Sequence, residues 1–280
     1  MLTRSEKVRR FRDLHEAGCF IIPNPWDVGG AKMMTMLGFK ALATTSSGYA
    51  FSKGKRDGSA GAKDVSRDET LHYAAAIAAA TDLPVSADTE DCYADTSEGV
   101  AETVRLAAEA GLAGLSIEDR QPNASKPIRD FDDAVARVAV AVEAARKYEI
   151  VLTVRADGLG ARAYGLDEAV RRLQAFEKLG ADVLYAPALA DVSALQQVCR
   201  SVRAPINHVI GLGAPGLSLQ QIADAGVRRI SLGGSLAKAM GGVLLRTCQT
   251  IARGDFSDLE QGTSWASLQN PARVLQENAP

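Results

Sequence analysis

The chain has 280 residues, 46% hydrophobic and 24% charged, which provides enough apolar side chains for one large core. A formal net charge of -2, a pI near 6.0 and dispersed Lys and Arg residues exclude a basic surface for nucleic acid. The sequence shows neither a signal-peptide core nor about 18 uninterrupted apolar residues, so we expect a cytoplasmic protein with no membrane partner.

Short apolar runs alternate with helical patterns along most of the chain. The first helix is predicted over residues 4–17, where Val8, Phe11 and Leu14 have helical spacing before Gly18. Strands are predicted over residues 19–22, 40–44, 83–87, 113–117, 150–154, 181–185, 205–209 and 227–232. The later helices are predicted over residues 28–37, 68–80, 97–110, 130–148, 166–179, 192–202, 218–225 and 235–253.

Eight strands separated by helices favour a parallel sheet with helical crossovers. That number favours closure into a barrel, since open doubly wound sheets more often have about five or six strands. Gly158-Leu159-Gly160 follows a strand but lacks the third glycine of a dinucleotide fingerprint. We therefore predict one α/β domain over residues 1–280, a (β/α)8 TIM-type barrel with residues 255–280 as a C-terminal extension that packs across a neighbouring surface.

Charged side chains recur where predicted strands end. Asp88, Glu90 and Asp91 follow the third strand, Glu118 follows the fourth, and Arg155 follows the fifth. Any one of these acids alone is as well explained as a helix cap or loop residue. Because the C-terminal ends of parallel barrel strands meet at the face that carries active sites, their repetition predicts one shared site.

Such an acidic cluster needs a compensating cation, since burying unpaired carboxylates costs roughly several kcal/mol each. The cluster presents oxygen ligands without a set of His or Cys residues, which indicates Mg2+, with Mn2+ as the alternative. Cys92 lies beside the cluster, where a small packing residue is a simpler interpretation than a catalytic thiol.

Two long segments follow strands that border this site. Residues 45–58 are predicted as a loop whose hydroxyls and backbone N–H groups around Gly48 could bind a carboxylate or phosphate. Its run Lys53-Gly54-Lys55-Arg56 has two interpretations, a charged lid or a solvated loop. Residues 120–129 form the second candidate gate, directly after Glu118.

The order of these motifs resembles that of the isocitrate lyase and phosphoenolpyruvate mutase superfamily over residues 20–239. The motifs that carry the resemblance are Thr44-Thr45-Ser46-Ser47-Gly48 with Asp57 downstream, Ala87-Asp88-Thr89-Glu90, Ser116-Ile117-Glu118-Asp119 and Val154-Arg155-Ala156-Asp157. The resemblance implies a modified barrel whose C-terminal helix is exchanged between subunits of a tetramer. We accordingly expect a homo-oligomer, a tetramer or alternatively a dimer.

Roles are predicted for particular residues. The resemblance implies them for all except Tyr49, Asn207 and His208, which are candidates from the sequence itself. The predicted metal ligands, direct or through water, are Asp88, Glu90 and Glu118. The predicted catalytic residues are Asp57, Arg155 and Tyr49. The predicted substrate-binding residues are Ser46, Ser47, Gly48, Arg155, Asn207 and His208. The proton carrier stays open among Tyr49, Asp57, Lys126 and His208, and for His208 a hydrogen-bonded core position is the alternative.

Departures from the family pattern narrow the expected reaction. Residues 121–129 lack the Cys and His of the loop that serves isocitrate and methylisocitrate cleavage, and Asn123 and Lys126 do not follow the Lys-x-Asn order of the phosphonate enzymes. We expect a Mg2+-dependent carbon–carbon lyase that cleaves or decarboxylates a small 2-oxo or 2-hydroxy (di)carboxylate through a metal-stabilised enolate. The alternatives are phosphoenolpyruvate mutase or phosphonopyruvate hydrolase chemistry, a metal-dependent aldolase, and a non-catalytic barrel that binds oxo acids.

Overall fold

The computed structural model describes residues 2–58, 64–123, 125–211 and 216–270. The strands are β1 (Phe20–Ile22), β2 (Leu42–Ala43), β3 (Val85–Asp88), β4 (Gly114–Glu118), β5 (Val151–Arg155), β6 (Val183–Tyr185), β7 (Ile206–Val209) and β8 (Arg229–Ser231). The helices are α1 (Arg4–Glu16), α2 (Val28–Met36), α3 (Ser46–Ser52), α4 (Arg67–Ala79), α5 (Ser97–Glu109), α6 (Phe131–Lys147), α7 (Leu166–Leu179), α8 (Val192–Ser201), α9 (Leu219–Asp224), α10 (Ser235–Ile251) and α11 (Trp265–Gln269).

All strand pairs are parallel, and the sheet runs in the order β1-β8-β7-β6-β5-β4-β3-β2. The two ends of the sheet meet through two hydrogen bonds, from Ala43 N to the Pro23 carbonyl (3.1 Å) and from Asn24 Nδ2 to the Thr44 carbonyl (3.0 Å). The sheet is therefore a nearly closed barrel, and the predicted (β/α)8 fold is confirmed. The exchanged C-terminal helix involves a second chain and stays a prediction.

Hydroxyl side chains begin many of the helices. Thr3, Ser66 and Ser218 each form a capping box with the Glu or Gln three residues later, so that side chain and backbone satisfy each other's hydrogen bonds. Helix α7 ends at Gly180, whose φ of 101° is a left-handed conformation that glycine adopts without strain. These local signals explain why the predicted bounds differ from the observed ones by only one or two residues at most helix ends.

The lower end of the barrel is sealed by α1. Phe11 is fully buried there in an apolar cluster with Ile22, Val151 and Val183. Gly114 lies against the same ring, and a Cβ at this position would stand 2.8 Å from Phe11 Cε1. Because this end is filled, the barrel interior is open only at the C-terminal ends of its strands.

The prediction that residues 45–58 lack secondary structure is wrong for α3. Thr45 caps this helix by accepting a hydrogen bond from the Gly48 amide (3.3 Å).

Beyond α10 the chain forms a 3-10 helix (Ser257–Gln261) and α11, whose Trp265 is exposed in this single chain. No helix among the described residues is long and apolar enough to cross a membrane.

Candidate active site

A cavity of about 200 Å³ lies inside the barrel at the C-terminal ends of the strands. It brings together most of the predicted site residues. Those that line it are Ser46, Ser47, Asp57, Asp88, Glu90, Glu118, Arg155 and Asn207. They come from β3 and the turn after it, from β4, β5, β7 and α3, and from the segment after α3, as expected where parallel strand ends converge.

Arg155, at the end of β5, is the centre of the cavity's charged cluster. Its guanidinium forms two parallel hydrogen bonds to Asp157, of 3.1 and 2.8 Å. It also contacts Asp88 Oδ1 at 3.2 Å and Glu118 Oε2 at 3.1 Å, and it lies over the Tyr185 ring. One cation therefore holds three carboxylates on three neighbouring strand ends, and the local charge remains negative.

Burial and charge shift the pKa values of this cluster in opposite directions. Burial lowers the pKa of the Arg155 guanidinium, but Asp157, Glu118 and Asp88 outweigh burial and raise it above its usual value. Burial raises the pKa of Glu118 well above its ordinary value, although Arg155 opposes that shift. The cluster therefore disfavours further negative charge unless another cation enters.

Glu90 extends this negative cluster toward the segment that follows α3. Burial raises the pKa of Glu90 to about 8, and Asp88, Asp57 and Asp91 add to the shift. Gly58 lies directly against the Glu90 carboxylate, where an added Cβ would overlap its oxygens. The approach of residues 57–58 to Glu90 explains why Asp57, which is distant from Glu90 in the sequence, lines the same cavity.

The N-terminus of α3 fixes the position of Asp88. Ser46 donates to Asp88 Oδ2 from both its amide (3.2 Å) and its hydroxyl (2.9 Å). The Asp88 amide in turn donates to Thr44 Oγ1 (2.9 Å), and Ser116 Oγ lies 3.4 Å from Oδ1. The amides of Ser46 and Gly48 at this end already donate to Asp88 and Thr45, so Ser47, which also lines the cavity, is the residue at the start of α3 placed to meet a ligand.

Three of the predicted residues lie outside the cavity. Tyr49 is buried and stacks on Tyr73 with ring centroids 3.9 Å apart. Gly48 packs against α10, where an added Cβ would lie 3.3 Å from that of Ala237. His208 is half-buried on β7 beside the inward-facing Asn207, and burial lowers its pKa. Direct roles for these three are not supported by their positions.

The sequence reasoning did not assign several side chains that line the cavity. These are Asn24, Thr44, Ser86, Ser116, Arg120, Thr153, Asp157, Tyr185, Arg229 and Ser231. Asp157 could have been found from its place two residues after Arg155, since alternate strand positions share a face. The sequence pointed less clearly to Arg229, whose one distinguishing feature is that it is a cation within a predicted buried strand.

The donor set suits a hard divalent cation. Asp88, Glu90 and Glu118 offer carboxylate oxygens in a cluster with excess negative charge, and Mg2+ commonly uses only one or two carboxylates together with waters. Among the described residues, however, no three His, Cys, Asp or Glu side chains are grouped closely enough to hold an ion by themselves. The cluster therefore fits a metal held by one or two of these residues and completed by ligand and water oxygens.

Comparison with protein families gives a match over most of the chain. The family of phosphoenolpyruvate phosphomutase matches residues 11–252, which include all eight strands and all the residues that line the cavity. The chain belongs to this family. It is therefore a member of the isocitrate lyase and phosphoenolpyruvate mutase superfamily, and the predicted resemblance is confirmed.

Two curated proteins that are similar to this chain differ in how much of it they cover. An uncharacterised protein of Mycobacterium tuberculosis (strain ATCC 25618 / H37Rv) is 31% identical over 261 residues, which cover 92% of this chain and 94% of that protein. The 2-methylisocitrate lyase of Escherichia coli (strain K12) is 31% identical over 147 residues, which cover 50% of this chain and 48% of the enzyme.

Two solved structures share the architecture across nearly the whole chain. A protein of Burkholderia cenocepacia J2315, named only as a lyase/mutase, is 43% identical with a TM-score of 0.90, covering 99% of this chain and 97% of that one. A phosphonopyruvate hydrolase in complex with oxalate and Mg2+ is 21% identical with a TM-score of 0.81, covering 99% of both chains. The second likeness supports the fold alone.

Proposed function

We propose that this chain is a Mg2+-dependent carbon–carbon lyase that cleaves or decarboxylates a small 2-oxo or 2-hydroxy dicarboxylate. The observation that carries the proposal is the cluster of Arg155 with Asp88, Glu118 and Asp157 beside the N-terminus of α3. The cavity of about 200 Å³ suits a compact ligand, since one water occupies about 30 Å³ of liquid.

Breaking a carbon–carbon bond next to a carbonyl leaves its electron pair on the fragment that retains the carbonyl, as an enolate. Arg155 is placed to stabilise the negative charge on the enolate oxygen, and its three carboxylate partners on rigid strand ends limit its movement. Ser47 at the start of α3 is placed to bind the ligand carboxylate. When bound, a divalent cation would supply Lewis-acid polarisation of the ligand oxygens.

The enolate must then receive a proton. Of the four proton carriers considered from the sequence, Asp57 lines the cavity, while Tyr49, Lys126 and His208 do not. We therefore assign the proton transfer to Asp57, directly or through a water molecule. In decarboxylation, carbon dioxide leaves without the bonding electrons, and the enolate and this proton together give the product. In cleavage of a 2-hydroxy acid, Asp57 first takes the hydroxyl proton as the bond between the second and third carbons breaks, and the hydroxyl carbon becomes the carbonyl of a 2-oxo acid. The same proton is then returned to the enolate of the other fragment.

The comparisons support this reading in part. The E. coli relative is named as a lyase that acts on a substituted tricarboxylate, and the phosphonopyruvate hydrolase is named with Mg2+ and oxalate, a small dicarboxylate. A second candidate function is phosphorus–carbon bond chemistry. It is favoured by one observation, that the matching family is described by its phosphomutase.

Product formation on four substrates separates the two candidates. Pyruvate is measured after addition of oxaloacetate, 2,3-dimethylmalate, methylisocitrate or phosphonopyruvate with Mg2+, and reactions without enzyme give the background. In the phosphonopyruvate reaction phosphoenolpyruvate is measured as well, because a phosphomutase forms this isomer and no pyruvate. We expect turnover of oxaloacetate or dimethylmalate that is lost in EDTA. Turnover confined to phosphonopyruvate would establish the second candidate, and undiminished carbon–carbon cleavage in EDTA would remove the metal from the proposal.

Two variants test the assigned site in the same assay. Arg155→Ala is expected to lower kcat/KM by about a hundredfold or more, the range seen when one preorganised donor to a developing anion is removed. Cys92→Ala serves as the control, because this thiol is fully buried with its pKa raised by burial to about 12. Equal losses in both variants would contradict the specific role of Arg155.

A further inference from the structure

Arg229 on β8 is a second guanidinium in the same cavity, and it is only 5% exposed. Its Nε donates to Asn207 Oδ1 (2.8 Å) and its Nη2 donates to Thr153 Oγ1 (3.0 Å). Its Nη1 lies 3.5 Å from His15 Nε2. Unlike Arg155, it forms no ion pair with any Asp or Glu among the residues that the structure describes.

His15 does not supply the missing negative charge. Its Nδ1 lies 2.6 Å from the Phe11 carbonyl and must carry the hydrogen, so Nε2 is the acceptor that faces Arg229. Burial and Arg229 lower the pKa of His15 to about 3, which keeps the ring neutral. Burial likewise lowers the pKa of Arg229, to about 9, so the guanidinium still carries its charge at neutral pH.

The strand register places this charge at the floor of the cavity. Thr153, which accepts from Arg229, lies two residues before Arg155 on the same face of β5, roughly 7 Å deeper in the barrel at about 3.3 Å per residue. Asn207, directly opposite Arg229 on β7, has the same inward orientation. The charged cluster of Arg155 thus lies near the mouth, and the uncompensated cation lies beneath it.

None of the carboxylates that line the cavity pairs with Arg229, and three of them are held by Arg155. The uncharged polar side chains of the cavity, which can orient an anion, include Ser86, Ser116, Thr153, Asn207 and Ser231. Each terminal nitrogen of Arg229 carries two N–H groups, and each has one protein partner. One hydrogen on each terminal nitrogen is therefore left for a ligand, and a buried cation without a counter-charge favours an anionic one.

We propose that Arg229 binds the second carboxylate of the substrate and makes the site select dianionic over monoanionic acids. This inference rests on the proposed function, because the first carboxylate is taken to bind at α3 and Arg155. The dicarboxylate would then span the cavity from mouth to floor. Removing its distal carboxylate would leave Arg229 without a counter-charge in the complex.

Binding of two acids with the same four-carbon skeleton tests this assignment. Malate and 2-hydroxybutanoate differ in the distal carboxylate alone, and both are titrated calorimetrically in the presence of Mg2+. We expect the natural protein to bind malate on the order of ten- to a hundredfold more tightly, as for one charge-assisted interaction. In Arg229→Met we expect the preference to fall to about twofold, with little change for 2-hydroxybutanoate.

Arg228→Met is the matched control. Arg228 precedes Arg229 on the chain, but its side chain reaches the Gly18 carbonyl (3.3 Å) at the lower rim and does not line the cavity. Its substitution should leave the preference for malate unchanged. Arg229→Lys, which keeps the charge, should retain part of the preference.

Several outcomes would overturn the assignment. An equal loss of affinity for both acids in Arg229→Met would show that Arg229 only fills the barrel. If Arg229→Met does not fold, as judged by circular dichroism, absence of any malate preference in the natural protein still overturns it. Titration of oxalate with Mg2+ distinguishes failure of the proposed function from failure of the role given to Arg229. Failure to bind oxalate counts against the proposed function. Oxalate binding and turnover without a preference for malate counts against the role of Arg229 alone.

Discussion

His15 couples the stability of the barrel to pH through a single buried ring. The ring is packed edge-on between Phe11 and Phe20, and burial and Arg229 lower its pKa from the ordinary 6.5 to about 3. Between these two values the unfolded chain takes up a proton at this position and the folded chain does not. The free energy of unfolding therefore falls as pH decreases from 6.5 toward 3.

We predict that replacement of His15 by a non-titrating residue weakens this acid sensitivity. His15→Gln should reduce the slope of the unfolding free energy against pH below 6.5 by at most about 1.4 kcal/mol per pH unit. Urea unfolding across this range measures the slope. His72→Gln, at an exposed position on α4, should keep the natural slope. A natural slope in His15→Gln would show that other groups control acid unfolding.

Glu90 provides a second residue-scale prediction, on metal binding. Without metal its carboxyl pKa is raised to about 8, so between 4.5 and 8 the folded protein retains a proton that the unfolded chain has lost, and stability decreases as pH rises. A cation at the cluster must displace that proton. The rise in Tm caused by Mg2+ should therefore be larger near pH 8 than near pH 6.

Glu90→Gln should flatten this pH dependence, as measured by scanning fluorimetry with and without Mg2+. The matched control is Glu98→Gln, an exposed position at the start of α5, which should behave like the natural protein. An effect of Mg2+ that is the same at both pH values in the natural protein would place the cation away from Glu90.

At the scale of elements, periodicity predicted the eight strands and most of the helices. It failed at α3, because its serine and glycine residues are poor helix formers, and the helix depends on the Thr45 cap and on packing of Tyr49 against Tyr73. The cap is local, but the contact of Tyr49 with Tyr73 joins residues that are far apart in the sequence. Local pattern alone could not reveal that contact.

The site was predictable to the extent that it lies at strand ends. Carboxylates that follow parallel strands must converge, so Asp88, Glu90 and Glu118 could be placed around one cavity before the structure was known. The sequence did not show which of Arg228 and Arg229 faces inward, since that depends on the register of Arg229 with Asn207. Which arginine enters the barrel is therefore determined by the pairing of the strands and cannot be read from a short sequence motif.

The hairpin that follows β4 gives a prediction at the element scale. An isolated bridge pairs Arg120 with Ile128, and the Arg129 amide donates to the Asp119 carbonyl (2.8 Å). Asp119 is buried beneath this base, where its carboxylate accepts from the Asp157 amide (2.7 Å) and from Arg172 Nη1 (3.0 Å). The ion pair with Arg172 thus joins the base of the candidate gate to α7, and the hydrogen bond from the Asp157 amide joins it to the segment that follows β5.

Arg172→Met should destabilise the protein by about 3–5 kcal/mol, because it leaves the buried Asp119 carboxylate without its cation. Arg171→Met is the control on the same helix. Arg171 pairs with Glu168 at the surface and contacts the Phe131 ring, so its loss should cost less than about 1 kcal/mol. Urea unfolding measures the loss of unfolding free energy in both variants. Equal losses would show that the buried pair of Arg172 with Asp119 stabilises the protein no more than a surface pair does.

At the scale of the whole molecule, α10 presents an apolar face that this chain does not cover. Met240, Val243, Leu244 and Leu245 are each 52–59% exposed, and Ala237 is the one residue of α10 that is buried. A groove of about 690 Å³ lies between this helix and α3. Monomeric proteins rarely expose contiguous apolar patches larger than roughly a few hundred Å². The exposed apolar face of α10 therefore favours association with another protein chain.

We propose that α10 is a subunit interface of a homo-oligomer, a tetramer or a dimer, as the family resemblance implies. Light scattering at micromolar concentration should give a multiple of the 29.6 kDa chain mass. The double substitution Leu244→Lys with Leu245→Lys should shift the protein toward monomer, because two charges on this face must be desolvated on assembly. Gln249→Lys, an exposed polar position on the same helix, should leave the assembly unchanged. A natural protein that scatters as a monomer would refute the proposal, since the apolar face of α10 would then be stable in water.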